Sequence, residues 1–157
     1  MQLSQVFLEL GSDSFTKLLR SISMGKLKTY QLYDRVKART HLNKLSSETL
    51  QKSAPRQWAR IESLDDEFAR DIAQAILISH LDMIVDVLNF LQIPHEDGFF
   101  VKDLDPAPYL TGDWQERVLA EFKDKYSEAV LKFYMGHLAW ETKASADAKA
   151  EEPQAAE

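Results

Sequence analysis

The sequence predicts an all-α protein, a helical bundle of about seven helices. Two long antiparallel helices are expected at its centre, with shorter N-terminal helices packed around them. Three observations carry this. Apolar residues recur at three- and four-residue intervals through most of the 157 residues. With only 5 Gly and 5 Pro, there is little material for a turn-rich β-sandwich or barrel. Segment 64–93 runs without a Gly or Pro, too long for a strand.

Taken in order, Leu3, Val6, Phe7 and Leu10 keep the spacing of one helix face, and Gly11 is placed to end that helix. Ser12 or Asp13 can cap a second helix with Phe15, Leu18, Leu19 and Ile22 inward, closed by Gly25. A third is expected from Thr29, with Tyr30, Tyr33 and Val36 inward and Asp34, Arg35, Lys37 and Arg39 outward. Ser46 or Ser47 caps a short fourth through Leu50. Pro55 suits the first turn of a fifth, which holds Trp58 and Ile61.

Segment 64–93 is the strongest element. Ser63 with Asp66 resembles a capping box in which Asp replaces the usual Glu or Gln. At 100° per residue, Asp71, Gln74, Ser79, Asp82, Asp86 and Asn89 share an arc of about 140°. Apolar side chains take most of the rest, so this helix must be covered on several sides and reads as the centre. The last helix starts at Asp113, with Glu116 placed to reach back to the cap. Its stripe is Val118, Phe122, Tyr126, Ala129, Val130, Phe133 and Trp140, and Gly136 at the edge permits close backbone approach. Residues 1–143 thus form one helical domain, with basic helices over 1–60 and an acidic two-helix core over 61–143. Residues 144–157 lack hydrophobic bulk and read as a disordered, acidic, Ala-rich tail.

The formal net charge is −6, unevenly divided. Residues 1–60 hold 11 Lys and Arg against 4 Asp and Glu, a net of +7; the remainder holds 8 against 21, a net of −13. The asymmetry suits either a polyanion partner or attraction between the two halves, and the second is preferred. No cysteine is present, which excludes disulfides, thiolate nucleophiles and Cys-type metal sites. The N-terminus lacks the cationic flank and apolar core of a signal peptide. The most apolar window, 72–93, contains His80, Asp82, Asp86 and Asn89, and each Asp at a bilayer centre costs about 2.5–3.5 kcal/mol. No membrane span is expected, and cytoplasmic residence is.

Catalytic motifs are missing. There is no G-x-G, so no dinucleotide fingerprint or P-loop, and no G-x-S-x-G elbow. The residues three before the histidines are Ala38, Leu77, Gln92 and Tyr134, so the Glu-x-x-His of a di-iron bundle is absent, as is H-E-x-x-H. No cofactor is expected.

His80 projects away from the acidic arc, between Ile76, Leu77 and Ile84, as a core histidine or a candidate base or ligand. His137 falls on the inward stripe of the last helix, about 12–18 Å along the axis from His80 at helical rise, too far to share a metal. Asp82 and Asp86 are i, i+4 neighbours that could hold a divalent cation. Pairing with the basic N-terminal helices is the preferred reading, since like charges at that spacing need a partner. The loop 94–112 gathers His95, Glu96, Asp97, Asp103 and Asp105 around an apolar run, Phe99 to Val101, that suits a hairpin arm. It reads either as a plug over the core, through Phe99, Phe100, Leu104, Tyr109 and Leu110, or as a binding lid. In the basic half, 30–40 and 47–60 could form a helix–turn–helix presenting Lys52, Arg56 and Arg60, with Gln51 and Gln57 to read bases. Pro55 and the absence of a turn glycine count against that.

The expected function is a non-catalytic helical interaction protein that self-associates, most simply as a homodimer, or takes a protein partner. One alternative is nucleic-acid binding through Lys52, Arg56 and Arg60. The other is a metal- or ligand-dependent enzyme using the 94–112 loop, with His80, Asp82, Asp86, His95, Asp97, Asp103 and Asp105 as candidate binding residues.

Overall fold

Helices α1 (Ser4–Leu10) and α2 (Ser12–Arg20) meet at Gly11, whose φ of 91° is left-handed and costs glycine little. That glycine is itself the N-cap of α2, so neither Ser12 nor Asp13 caps as expected. The computed structural model describes residues 2–40 and 44–151, and side chains only as far as residue 143. Among the described residues it is all-α, with ten α-helices and one small hairpin.

The basic half continues with α3 (Met24–Thr29), α4 (Tyr33–Thr40), α5 (Ser47–Lys52) and α6 (Ala54–Glu62). The expected third helix begins early: Ser23 caps α3 by accepting the Lys26 N–H, and Gly25 lies inside the helix instead of closing the one before. Gln31, at φ 61°, then separates α3 from α4 and leaves Tyr30 exposed. Ser46 caps α5 by accepting the Thr49 N–H at 3.1 Å, and Pro55 sits in the first turn of α6, both as expected. Residues 41–43 of the anticipated turn lie outside the described residues.

Segment 64–93 is not one helix. It divides into α7 (Asp66–Ser79) and α8 (Leu81–Phe90) at His80, where φ is −127° and ψ 36°. The Ser79 hydroxyl donates to the Ala75 carbonyl at 2.7 Å, a back-bond that bends helices, and it accepts the Ser23 N–H at 2.8 Å. The cap is Asp65, which accepts the Phe68 N–H, and not Ser63. The last helix is divided too, into α9 (Trp114–Phe122) and α10 (Glu128–Glu151). The intervening residues are drawn onto α8 by Asp86, which accepts from the Tyr126 hydroxyl and pairs with Lys125 at 2.9 Å. Asp113 precedes α9 but makes no side-chain cap and pairs with Arg117 instead. Of the tail expected over 144–157, the backbone is helical to Glu151, and 152–157 lie outside the described residues.

Loop 94–112 contains strands β1 (His95–Glu96) and β2 (Phe99–Phe100), paired antiparallel, and a 3₁₀ turn at Ala107–Tyr109. Phe100, Leu104, Tyr109 and Leu110 pack on the core; Phe99 is exposed.

The core is centred on the first two helices. Phe7 and Phe15 are fully buried, with ring centroids 5.5 Å apart, and Phe7 also meets Phe133 of α10 edge-on at 5.0 Å. Helix α1 packs against α2, α6, α7 and α10, while α2 packs against α5, α6 and α10. The close approach of α1 and α10 depends on Gly136: a Cβ there would stand 3.0 Å from Val6 Cγ1. No described helix is long and apolar enough to cross a membrane.

Candidate functional site

The seven candidate residues of the acidic reading do not converge. His80 is half-buried, and its Nε2 lies 2.9 Å from Ser21 Oγ. A serine beside a histidine suggests a nucleophile and its base, but the Ser21 hydroxyl donates to the Leu18 carbonyl at 2.7 Å. The imidazole nitrogen is therefore the donor, so it is not placed to take the serine proton. Burial pushes the His80 pKa down, keeping the ring neutral. Asp82 is exposed beside a small cavity of about 170 Å³ that His80, Lys26 and Tyr126 also line. Asp86 is held below the ordinary carboxylate range by the Tyr126 hydrogen bond and then by Lys125. Its partners come from the acidic half, not from the basic helices.

In the hairpin, His95 uses both ring nitrogens structurally. Nδ1 accepts the Gly98 N–H at 3.1 Å, so Nε2 carries the proton and donates to Asn89 Oδ1 at 2.8 Å. Asp97 and Gly98 form the two-residue turn, at φ 52° and 94°. Asp-Gly is the pair such a turn demands, a signal legible in the sequence that the loop reading passed over. Asp103 takes a positive φ, and Asp105 accepts the Ala107 N–H at 3.1 Å. Among the described residues, no group of three or more His, Asp or Glu could hold a metal ion.

The nucleic-acid surface is also divided. Segment 47–60 breaks at Ser53, so it offers no continuous recognition helix. Lys52 is exposed and pairs with Glu48 at 3.1 Å, and Arg56 is exposed. Arg60 is built into the fold: it pairs with Asp65 at 2.7 Å, donates to the Arg39 carbonyl and lies 4.4 Å from the Phe68 ring centroid. Gln57 is buried and unable to read a base.

The pairing of the two halves takes place elsewhere. Asp71, only 2% exposed, receives Arg35 Nη2 at 2.7 Å and Arg39 Nε at 3.1 Å, both from α4. Arg39 also reaches Glu67. Burial pushes the Asp65 carboxyl up, and the Arg60 and Phe68 hydrogen bonds with the Arg60 and Arg39 charges outweigh it, leaving it below its ordinary value.

Next to this fork opens a cleft of about 430 Å³. One wall is apolar: Leu77 and Ile78 of α7, Leu81 and Ile84 of α8, and Phe99 and Phe100 of the hairpin. Gly98 closes it against α8, with room for a Cβ only 3.4 Å from Ile84. Leu32 adds to the apolar lining; the polar groups are Arg35 of α4, Gln74 of α7 beside Leu77 and Ile78, and a polar wall on α10 made of Tyr134, His137 and Glu141. Spaced i, i+3 and i+7, these last three share one helix face.

That polar wall is electrostatically tuned. The His137 ring lies between Phe133 and Trp140, at centroid distances of 6.1 and 5.5 Å, and burial pushes its pKa down to about 4. Burial raises the Glu141 carboxyl, whose Oε2 is 3.8 Å from His137 Nδ1. Burial also raises the Tyr134 phenol, with the Glu141 charge adding to it. Perturbed groups gathered in one concavity are the pattern of a functional site. Glu141 and Tyr134 did not stand out in the sequence, because only the packing of α10 against α7 and the hairpin turns their face into a wall. No protein-family model, curated protein or solved structure matches the chain.

Proposed function

We propose that this chain is a non-catalytic binding protein whose cleft between α7, α8, α10 and the hairpin takes a small amphipathic molecule. The observation that carries the reading is the cleft's two-sided lining: an apolar wall of Leu77, Ile78, Leu81, Ile84 and Phe100 faces Tyr134, His137 and Glu141. Ligand sites are of this size and composition, mostly apolar with a few convergent polar groups. The test is calorimetric titration with short-chain amphiphiles such as 1-octanol. Saturable binding that is lost in the cleft-filling variant Ile78→Trp supports the reading. No saturable binding of any amphiphile refutes it.

A second reading is self-association, favoured by a groove of about 490 Å³ between α1, α9 and α10. Leu10, Leu119, Ala139 and Trp140 line it, with Glu9 and Glu116 alongside Lys132 and Lys143. A two-fold axis through such a surface sets acids of one copy against lysines of the other. Sedimentation velocity showing a dimer that Ala139→Arg dissociates supports this; a strict monomer refutes it.

A further inference from the structure

We infer that the cleft selects amphiphiles whose head group is a protonated primary amine. This rests on the proposed ligand cleft and names the class of molecule it takes.

Arg35 carries one positive charge and is answered by Asp71; Arg39, beyond it, is answered by Asp71 and Glu67. Glu141 has no such counterpart. Among the described residues its ion-pair partner is His137, which burial holds neutral near pH 7, and the other ionisable group its charge acts on is the Tyr134 phenol, which carries no positive charge. The uncompensated group on the polar wall is therefore a carboxyl, its side chain 45% exposed and so within reach of an arriving head group. A cation arriving there gains a charge-assisted hydrogen bond. A carboxylate head would instead meet a like charge.

Hydrogen bonding makes the same selection. Tyr134 is only 5% exposed, and its hydroxyl has no hydrogen-bond partner among the described residues. Neutral His137 offers one unprotonated ring nitrogen. With a Glu141 carboxylate oxygen, the wall presents three acceptors on one face of α10. An alkylammonium presents three N–H donors and no acceptor, so it can use all three. An alcohol has one donor. The alkyl chain would then run along Leu77, Ile78, Leu81 and Ile84, where the hairpin covers it.

The experiment compares octylamine, octyltrimethylammonium, 1-octanol and octanoate by calorimetry at pH 7.5 on the full chain. The expected order places octylamine about tenfold or more tighter than 1-octanol, the effect of one charge-assisted contact. Octanoate should be weakest. Octyltrimethylammonium, charged but without N–H donors, should fall below octylamine. Glu141→Gln should bring octylamine down to the level of 1-octanol and leave 1-octanol unchanged. Where that variant does not fold by circular dichroism, the four-ligand order on the unaltered chain decides. Equal binding of octylamine and 1-octanol, or a preference that survives Glu141→Gln, overturns the amine inference and leaves the ligand cleft standing. Absence of binding by all four overturns both.

Discussion

Asp71 shows how a single buried carboxylate can organise two elements. Its two oxygens take one guanidinium each from Arg35 and Arg39, so α4 is tied to α7 by charge-assisted bonds. Removing it leaves Arg35 without its carboxylate and Arg39 with Glu67 alone, although Arg35 is 57% and Arg39 37% exposed and both can turn to water. Breaking a fully buried pair costs about 3–5 kcal/mol; that escape lowers the expected loss for Asp71→Ala to about 1–3 kcal/mol. Glu67→Gln, at a carboxylate 70% exposed, should cost less than about 1 kcal/mol. Urea denaturation of the two variants side by side checks the ranking. His137 gives a pH dependence of definite sign. Its folded pKa, about 4, lies below the ordinary 6.5, so in that window the unfolded chain binds the extra proton. The stability from its burial is complete above pH 6.5 and is lost as pH falls through 4, up to roughly 3 kcal/mol at 1.36 kcal/mol per unit. Glu141 acts oppositely: its raised pKa favours the folded state at low pH, and that contribution is lost as pH rises through the folded value. Urea midpoints between pH 7 and 5 should therefore fall more steeply in the unaltered chain than in His137→Gln. Parallel curves would show that the imidazole is not held neutral by burial.

At the scale of the elements, the break at His80 is made by partners far away in the chain. The Ser21–Ser23 turn donates the Ser23 N–H to Ser79 Oγ and, at Ser21 Oγ, accepts the imidazole N–H of His80. Ser79→Ala leaves that N–H without its acceptor and should cost about 1–2 kcal/mol in thermal unfolding. An unchanged midpoint would show that the turn does not depend on this bond. This dependence on tertiary contacts explains why the break was not legible: 64–93 has no Gly or Pro, and its local preferences favour continuing the helix. Where the signal was local, it was readable, as with Ser46 as a cap and Pro55 in a first turn. Gly136 belongs to the readable group as well, since its place beside the apolar stripe marked a close contact. Gly136→Val should destabilise by about 1–3 kcal/mol through overpacking against Val6. In a Val6→Ala background the same substitution should cost less, because the obstructing methyl is gone. Equal costs in both backgrounds, measured by urea unfolding, would place the strain elsewhere.

Across the whole molecule, the fold class was legible and the arrangement was not. Periodicity reports which residues are apolar on each helix, but not which helices they meet. Thus α1 and α2, expected at the periphery, hold the central aromatic cluster with Phe133. The charge division was likewise visible, and the two halves do pair, through Asp65, Glu67 and Asp71 in place of Asp82 and Asp86. The cleft was hidden because its lining comes from α4, α7, α8, the hairpin and α10, elements no spacing rule connects. This dispersal has a consequence for cooperativity. Helix α10 supplies Val130, Leu131, Phe133, Tyr134, Met135 and Leu138 to the core, each no more than 5% exposed. A chain ending after Ser127 loses all six, among them Phe133, which packs edge-on against Phe7. At about 1.5–3 kcal/mol for each large apolar side chain, that loss exceeds the whole stability of an ordinary domain. Such a chain should show no cooperative urea transition by circular dichroism. Ending the chain after Lys143 keeps every one of these contacts and should hold stability within about 1 kcal/mol of the full chain. A cooperative transition in the shorter chain would mean that residues 1–127 possess a core of their own, with α10 merely docked on it.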